Sequence, residues 1–316
     1  MKKVFILGGT GFVGARVCAQ MLQQGWFVTV PTRSLGKAGP VAAGLTRLEL
    51  DVHDEAALTR ALLGQDAVVN LVAILHGTQA QFQHVHVSLV EKLARACVAA
   101  GVKQLVHVSA IGVSAQQPLS APSMYLRSKG QGEAALLRAA GLSEPPAFAL
   151  TILRPSVIFG AQDKFLNVFA SLQKKLPLMP LAGAGARFQP VWVEDVASAV
   201  QRSLTRDALA MRMGAAMIVE ACGPDVFTLR ELVQIAARLS GVRGGRGRPV
   251  LALPNWLARV QATLMERLPG EPVMSRDNLD SMKLDNVASG ALPGLDALGI
   301  KVTALAGIAS AYLGPG

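Results

Sequence analysis

Four glycines in seven residues, Gly8-Gly9-Thr10-Gly11-Phe12-Val13-Gly14, follow directly on the apolar stretch Val4–Leu7 and open a helical pattern from Phe12 to Gln24. This feature constrains the chain more than any other. A buried strand that ends in a glycine turn and passes straight into a helix is a βα unit whose backbone can approach an anion closely. The first N–H groups of such a helix have no partner within it, and the helix dipole adds partial positive charge there. Gly8, Gly11 and Gly14 then serve the tight turn, the approach to a pyrophosphate and the close packing of helix on strand. The expected ligand is a dinucleotide.

The rest of the first half alternates in the same way. Phe27–Val30, Leu45–Leu50, Ala67–Val72, Gln104–Ser109 and Ala149–Leu153 read as further strands. Between them lie a helix capped by Asp54 and closed by Gly64, a helix from Val85 to Ala100 stopped by Gly101, and a helix from Met124 to Ala140. Alternation of this kind implies parallel pairing and right-handed crossovers, hence a doubly wound α/β sheet. After Arg154-Pro155 the rhythm breaks at Pro177, Pro180, Gly183 and Gly185. Two more strand–helix units follow at Phe188–Arg202 and Met217–Leu239, the second with a capping box from Thr228 to Glu231. A Gly/Arg loop over 241–249 leads to a proline-flanked helix from Pro254 to Leu268. The expected division is a dinucleotide-binding domain over 1–154, which also receives units from about 187–206 and 216–223. The remainder of 155–316 forms a smaller, mostly helical, discontinuous lobe for a substrate or partner.

Composition excludes several classes. Half of the 316 residues are apolar (51%) and 16% are charged, too apolar for a disordered chain. Only three cysteines occur, Cys18, Cys97 and Cys222, without close pairing, which suits thiols in a reducing compartment. No apolar run reaches the roughly 18 residues of a spanning helix, and the N-terminal apolar stretch is too short for a secretory signal. A cytoplasmic protein is expected. Lys plus Arg exceed Asp plus Glu by ten, which asks for an anionic partner: nucleic acid, an acidic membrane surface or a small anion. Half of that excess lies between Arg238 and Leu268, with six Arg and one Glu. There Trp256, Leu257, Val260, Leu264, Met265 and Leu268 recur at helical spacing. A basic amphipathic helix of this kind suits a peripheral anionic membrane, at its inner face, or a protein partner. The plainer reading packs it onto the small lobe and leaves the basic loop in solvent. No recognition motif accompanies the charge, so nucleic acid is not expected.

Cofactor choice is read about 20 residues beyond the glycine turn, where an acidic residue accepts the ribose 2′-hydroxyl of NAD(H). No Asp or Glu lies between Gly14 and Leu48. Instead Thr32-Arg33-Ser34 ends the second strand, with Lys37 nearby. Arg33 suits a 2′-phosphate and Ser34 adds a hydrogen bond, which favours NADP(H) over NAD(H). An ordinary loop cation is the alternative for Arg33. Asp51 and Val52 follow the third strand and are placed beside the adenine, although Asp51 equally suits a turn or cap. Leu71, Val72 and Ala73 follow the fourth and line the middle of the cofactor.

Tyr125 and Lys129 are four residues apart on one helix face. An ammonium beside a phenol favours phenolate, which suits proton transfer to a substrate oxygen during hydride transfer. The same Lys129 can hold the nicotinamide ribose. Glu194 and Asp195 read as N-terminal capping residues of a helix. His84 and His86 do not share a helix face, so no metal site is expected. His107 reads as a satisfied core group, and Cys18 as packing against the sheet.

GGTGFVG, HVSAIG, YLRSKGQGE, LRPSVIFG and QPVWVEDVA occur in that order. With them the chain resembles the short-chain dehydrogenase/reductases of the extended, epimerase-like type. The block from Tyr125 through Lys129 to Gly132-Glu133 and the stretch Gln189–Ala197 resemble one atypical branch, and the C-terminal stretch from Leu253-Pro254 through Asp285-Asn286-Val287 resembles its bacterial members. That branch contains the NADPH-binding accessory subunit of respiratory complex I and its bacterial relatives. The resemblance implies a Rossmann-type fold. It puts the glycine-loop roles on Gly8, Thr10, Gly11, Phe12, Val13 and Gly14, and the 2′-phosphate role on Arg33. It puts the Tyr and Lys roles on Tyr125 and Lys129, and the backbone beside the nicotinamide on Pro155, Val157 and Ile158. One departure stands out. The proton-relay Ser or Thr position falls on Ala110, with Ser109 one residue early and Ser114 and Ser123 as substitutes, and the dehydratase acid pair is absent. The resemblance therefore implies an NAD(P)H-binding protein tied to complex I or quinone metabolism, its cofactor structural or regulatory. An active NADP-dependent reductase or epimerase, acting on a small molecule or quinone, is the second reading. A redox-sensing regulator is the third.

Overall fold

In a computed structural model of the chain, the structure describes residues 2–35, 42–141, 146–206, 216–267, 270 and 272–314. Lys37 and Leu268 therefore lie outside the described residues. Strand β1 (Lys3–Leu7) is inaccessible over its last four residues because both of its faces are covered. Val4 and Ile6 point into one core and Phe5 and Leu7 into another, as the two-residue period of a strand requires. Beside it run β2 (Phe27–Thr32), β3 (Leu45–Glu49), β4 (Ala67–Asn70), β5 (Gln104–Val108), β6 (Ala149–Pro155) and β7 (Met217–Ala221). All pair in parallel in the order β7-β6-β5-β4-β1-β2-β3. The order reverses between β1 and β4, which places a ligand crevice at the carboxyl ends of those strands.

Helices α1 (Phe12–Gln23), α2 (Glu55–Leu62), α3 (Leu89–Ala100) and α4 (Met124–Ala140) follow successive strands. Asp54 caps α2 by accepting the Ala57 N–H at 3.0 Å, and Gly101 ends α3 in the left-handed conformation. The helix expected from Val85 starts earlier. One turn at Gln79–Phe82 leads through a π-helical segment, Gln83–Ser88, into α3. A 3.6-residue pattern does not register the extra residue that a π turn holds.

The unit at Phe188–Arg202 contributes a helix to the main sheet but no strand. Val191–Trp192 pairs with Ile158–Phe159, and Arg187–Phe188 pairs with Phe227–Thr228, while α5 (Leu166–Lys175) precedes them and α6 (Val193–Thr205) packs on α1. Capping by Glu194 and Asp195 is corrected by the structure: neither side chain caps α6. Glu194 reaches Arg16 at 3.4 Å and Gln20 at 2.9 Å on α1, and Asp195 accepts the Thr303 N–H at 2.7 Å. Both fasten α6 to its neighbours instead.

A third core joins α5, α7 (Leu229–Leu239) and, near the C-terminus, Leu305–Leu313. Strand Met179–Leu181 pairs with Val250–Ala252, which leads into α8 (Asn255–Met265) and then α9 (Arg276–Ser281). The segment after α8 returns to the sheet's carboxyl edge, where Asp277 and Asn286 make the contacts described next.

Candidate dinucleotide site

The chain turns at Gly8 with φ +81°, a left-handed conformation that suits glycine. Gly11 N–H donates to the Gly8 carbonyl at 3.0 Å and closes the turn. A Cβ on Gly14 would land on that same carbonyl oxygen and lie 2.6 Å from Gly9 Cα. The first turn of α1 holds no acidic residue, and Gly11 supplies no side-chain cap. Its N–H groups thus keep their capacity for an anion. Thr10 and Gly11 are exposed, Phe12 and Val13 partly buried. Cys18 packs beneath the turn, 3.7 Å from the Gly9 carbonyl, and burial pushes its thiol up to about 11.

Arg33 is exposed just past β2 and forms no ion pair among the described residues. Thr32 and Ser34 fold the turn beside it, the Thr32 hydroxyl donating to the Ser34 carbonyl at 3.0 Å. Glu49, opposite Thr32 in the β2–β3 register, accepts the Leu35 N–H at 3.3 Å. Asp51 is a turn residue whose carboxylate accepts the His53 N–H at 2.9 Å, and Val52 is partly buried behind it. Leu71 donates its N–H to the Leu7 carbonyl at 3.0 Å and lies against Gly8. Val72 donates to the Asn70 side chain at 3.1 Å, and Ala73 is exposed.

On α4, Lys129 is buried and donates to the Val108 carbonyl at 2.7 Å. That is one bond among the described residues for an ammonium with three donors. Burial pulls its pKa down to about 8, opposed by the Glu133 carboxylate one turn on. Glu133 forms a buried, two-bond pair with Arg154 of β6, at 2.5 and 3.0 Å. Tyr125 stands edge-on to His86, with ring centroids 5.5 Å apart. Its phenol is pushed up to about 12 by burial. Desolvation is the cause of that shift, while the Lys129 ammonium, expected to favour phenolate, bonds the Val108 carbonyl.

The remaining polar groups are partly spoken for. Ser114 accepts the Gln117 N–H at 3.1 Å, and Ser123 caps α4 through Leu126 at 3.2 Å. Ser109 is buried with its hydroxyl unpartnered. Ala110 packs with Val113, Ala121, Leu126 and Tyr125. The satisfied His107 expected from the sequence is only half so. Its Nδ1 meets the Asn70 amide nitrogen at 3.1 Å, while Nε2 is buried without a partner. Because Asn70 Oδ1 takes the Val72 N–H, its amide faces His107 as a donor, which leaves the histidine proton on Nε2. His84 stacks on His53 at 3.7 Å. Pro155 accepts the Ile111 N–H at 3.0 Å, and Val157 and Ile158 are partly buried beyond it.

Backbone contacts thus gather Gly8 with Leu71, Lys129 with Val108, and Ile111 with Pro155 at one sheet edge. Sequence reasoning missed four residues there. Asp277 accepts the Met124 and Tyr125 N–H groups at 2.7 and 3.0 Å, so a residue on α9, 153 and 152 positions away, holds the start of the Tyr–Lys helix. Asn286 accepts from the Ser156 hydroxyl at 2.6 Å and the Val157 N–H at 3.0 Å. His86 accepts the Ile74 N–H at Nε2 (3.1 Å), so its Nδ1 carries the proton that Ser128 accepts at 2.9 Å. Burial, reinforced by the Lys129 charge, holds His86 down to about 3. Asn70 left a signal, as a polar residue at the end of an apolar strand, and Asn286 lies in the Asp285-Asn286-Val287 stretch that carries the family resemblance.

The glycine cradle, the open helix terminus, the Lys129 ammonium and the orphaned Ser109 and His107 atoms fit a dinucleotide laid across this edge. A family model described as NAD(P)H-binding matches residues 8–168. The NADH dehydrogenase (ubiquinone) 1 alpha subcomplex subunit 9 of Arabidopsis thaliana is 32% identical over 243 residues, 73% of this chain and 56% of that protein. Its counterpart in Mus musculus is 30% identical over 319 residues, 95% of this chain and 76% of that protein. The chain therefore spans little more than half of the plant relative and about three quarters of the mouse one. Among solved structures, a dTDP-glucose 4,6-dehydratase from Streptomyces venezuelae with NAD and TYD bound shares the fold. It has a TM-score of 0.71 and 22% identity, and the match covers 98% of this chain and 95% of that one. The chain belongs to the NAD(P)H-binding family and groups with the NADH dehydrogenase (ubiquinone) 1 alpha subcomplex subunit 9 proteins.

Proposed function

We propose that this protein holds NADP(H) as a resident dinucleotide and works alongside a respiratory NADH:ubiquinone assembly, without turning over a carbonyl substrate. The observation that carries this reading is the surroundings of Tyr125. Ala110, Val113, Ala121 and Leu126 pack around it, and Ser114 and Ser123 are committed to a turn and a cap. No hydroxyl among these residues is oriented to relay a proton to the phenol, and the phenol itself is held protonated by burial. Gly8, Thr10, Gly11, Phe12, Val13 and Gly14 would hold the pyrophosphate. Arg33 and Ser34 would receive the 2′-phosphate, Asp51 and Val52 the adenine side, and Leu71, Val72 and Ala73 the middle. Lys129, Ser109, Tyr125, Pro155, Val157 and Ile158 would surround the nicotinamide ribose and ring. When bound, the cofactor supplies hydride chemistry, and these residues orient and shield it. The assembly named is that of the relatives, and the assignment to this chain rests on their likeness.

The test is to purify the protein and measure bound NADP(H) by mass, its exchange, and its oxidation or reduction with quinones and carbonyl compounds. Tight, slowly exchanging cofactor without turnover is expected. A measured rate abolished by Tyr125→Phe would establish the enzyme reading instead. Arg33→Ala should weaken NADPH by about 10-fold or more and leave NADH nearly unchanged, since a charge-assisted bond to the extra phosphate is lost. Equal losses for both cofactors would refute the 2′-phosphate role.

A further inference from the structure

Helix α8 buries little of itself. Ala258 and Ala262 face the lobe, whereas Trp256, Val260 and Leu264 are 67%, 51% and 58% exposed. These three are four residues apart and form one apolar stripe of a helix. Leu251, in the strand that leads into α8, and Leu178, beside the strand it pairs with, are exposed as well. The apolar surface therefore runs beyond the helix onto a neighbouring two-stranded ladder.

The charge around this surface has one sign. No acidic residue occurs between Glu231 and Glu266, and the five charged residues between them are all arginines. Arg248 bonds Gln173 on α5 through its N–H at 2.6 Å, which sets the basic loop beside Lys174 and Lys175 at the end of that helix. Arg243 and Arg246 are exposed in the same loop. Among the described residues, two carboxylates beside α8 are paired with cations. Glu266 pairs with Arg276 at 2.8 Å, and Asp280 pairs with Arg259 at 2.8 Å and Lys283 at 2.7 Å.

We propose that the Trp256–Val260–Leu264 face of α8, with the arginine loop 241–249, docks on an anionic lipid bilayer. An apolar stripe flanked by diffuse positive charge is the chemistry that inserts into a headgroup layer. A protein partner of matching acidity would need an apolar groove as well, and nothing in the charge pattern demands one. The helix lies flat in this arrangement: eleven residues span about 16 Å, half of the bilayer core. Among the described residues no helix is long and apolar enough to cross. None of Trp256, Leu264, Arg243 and Arg246 is among the residues placed at the dinucleotide, so the two can be tested apart.

The experiment uses the full chain and flotation with vesicles of phosphatidylcholine, with and without phosphatidylglycerol. Binding to the anionic vesicles is expected to exceed binding to neutral ones by about 10-fold and to fall with added salt. Trp256→Ser with Leu264→Ser, and separately Arg243→Glu with Arg246→Glu, should each reduce flotation by about 10-fold. Dinucleotide affinity must stay unchanged in both, which shows that the variants fold. No flotation of the parent chain overturns the proposal, as does flotation that neither pair of substitutions reduces. A dimer that the α8 substitutions dissociate in the absence of vesicles also overturns it, since the face would then bind a second copy.

Discussion

The two ends of the proposed dinucleotide site are built in different ways. At the phosphate end, Gly8 to Gly14 are consecutive, and the fit depends on backbone atoms and on side chains that are missing. At the proposed nicotinamide end, Tyr125 and Lys129 come from α4, Ser109 from just past β5 and Val157 from beyond β6, and Asp277 and Asn286 of the C-terminal segment bond the backbone at Tyr125 and Val157. The first end is drawn from one βα unit, β1 and α1, against which Val30 of β2 and Leu71, just past β4, pack. The second exists only when the chain has closed on itself, because Asp277 and Asn286 satisfy backbone groups that no nearby residue reaches.

This difference can be broken by substitution. Gly14→Ala should have the largest effect. Its methyl would occupy the Gly8 carbonyl, so α1 must shift off the turn. Affinity for every dinucleotide fragment, 2′,5′-ADP included, should fall by about 100-fold, or roughly 2.7 kcal/mol. Titration calorimetry that finds unchanged affinity would show that the turn does not hold the phosphates. Asn286→Ala should act at the other end only. The Ser156 hydroxyl keeps the Asn286 backbone carbonyl at 2.8 Å, but the Val157 N–H loses its acceptor, which costs about 1–3 kcal/mol in thermal stability. Full-length cofactor should bind more weakly while 2′,5′-ADP binds as before. Equal loss for both ligands would mean that the two ends are not separable.

The smallest effect is in the pH dependence of stability. His86 is neutral in the folded chain down to about 3, against 6.5 for the free group. Between those values the unfolded chain binds a proton that the native one does not, so stability falls as pH drops below 6.5. Lys129 acts at the other side: with its pKa lowered from 10.5 to about 8, stability rises as pH increases through that window. His86→Gln should flatten the acid limb of a melting-temperature profile and leave the alkaline limb alone. An acid limb of undiminished slope would remove His86 from the account.

Much of the fold was legible because strands and helices announce themselves by local periodicity. The helix expected at Met124–Ala140 forms over that span, and the Thr228–Glu231 capping box forms as well. Glu194 and Asp195 misled because acidic residues at a helix start satisfy the dipole whether or not they also bond elsewhere. The π segment around His86 and the pairing of Val191–Trp192 with Ile158–Phe159 were illegible for a similar reason: each depends on a partner remote in sequence.

By itself, then, the sequence determined the glycine turn, the parallel alternation and the Tyr125–Lys129 spacing, since each is a relation among residues within a few turns or strands of one another. The tertiary structure decided which groups are ionised and which are free. Burial raises the phenol of Tyr125; Asn70 leaves His107 with an orphaned donor; and Ala258 and Ala262 are the buried residues of α8, leaving Trp256 outside. Desolvation and hydrogen-bond satisfaction are properties of an enclosed volume, and no stretch of sequence encloses one before the chain folds.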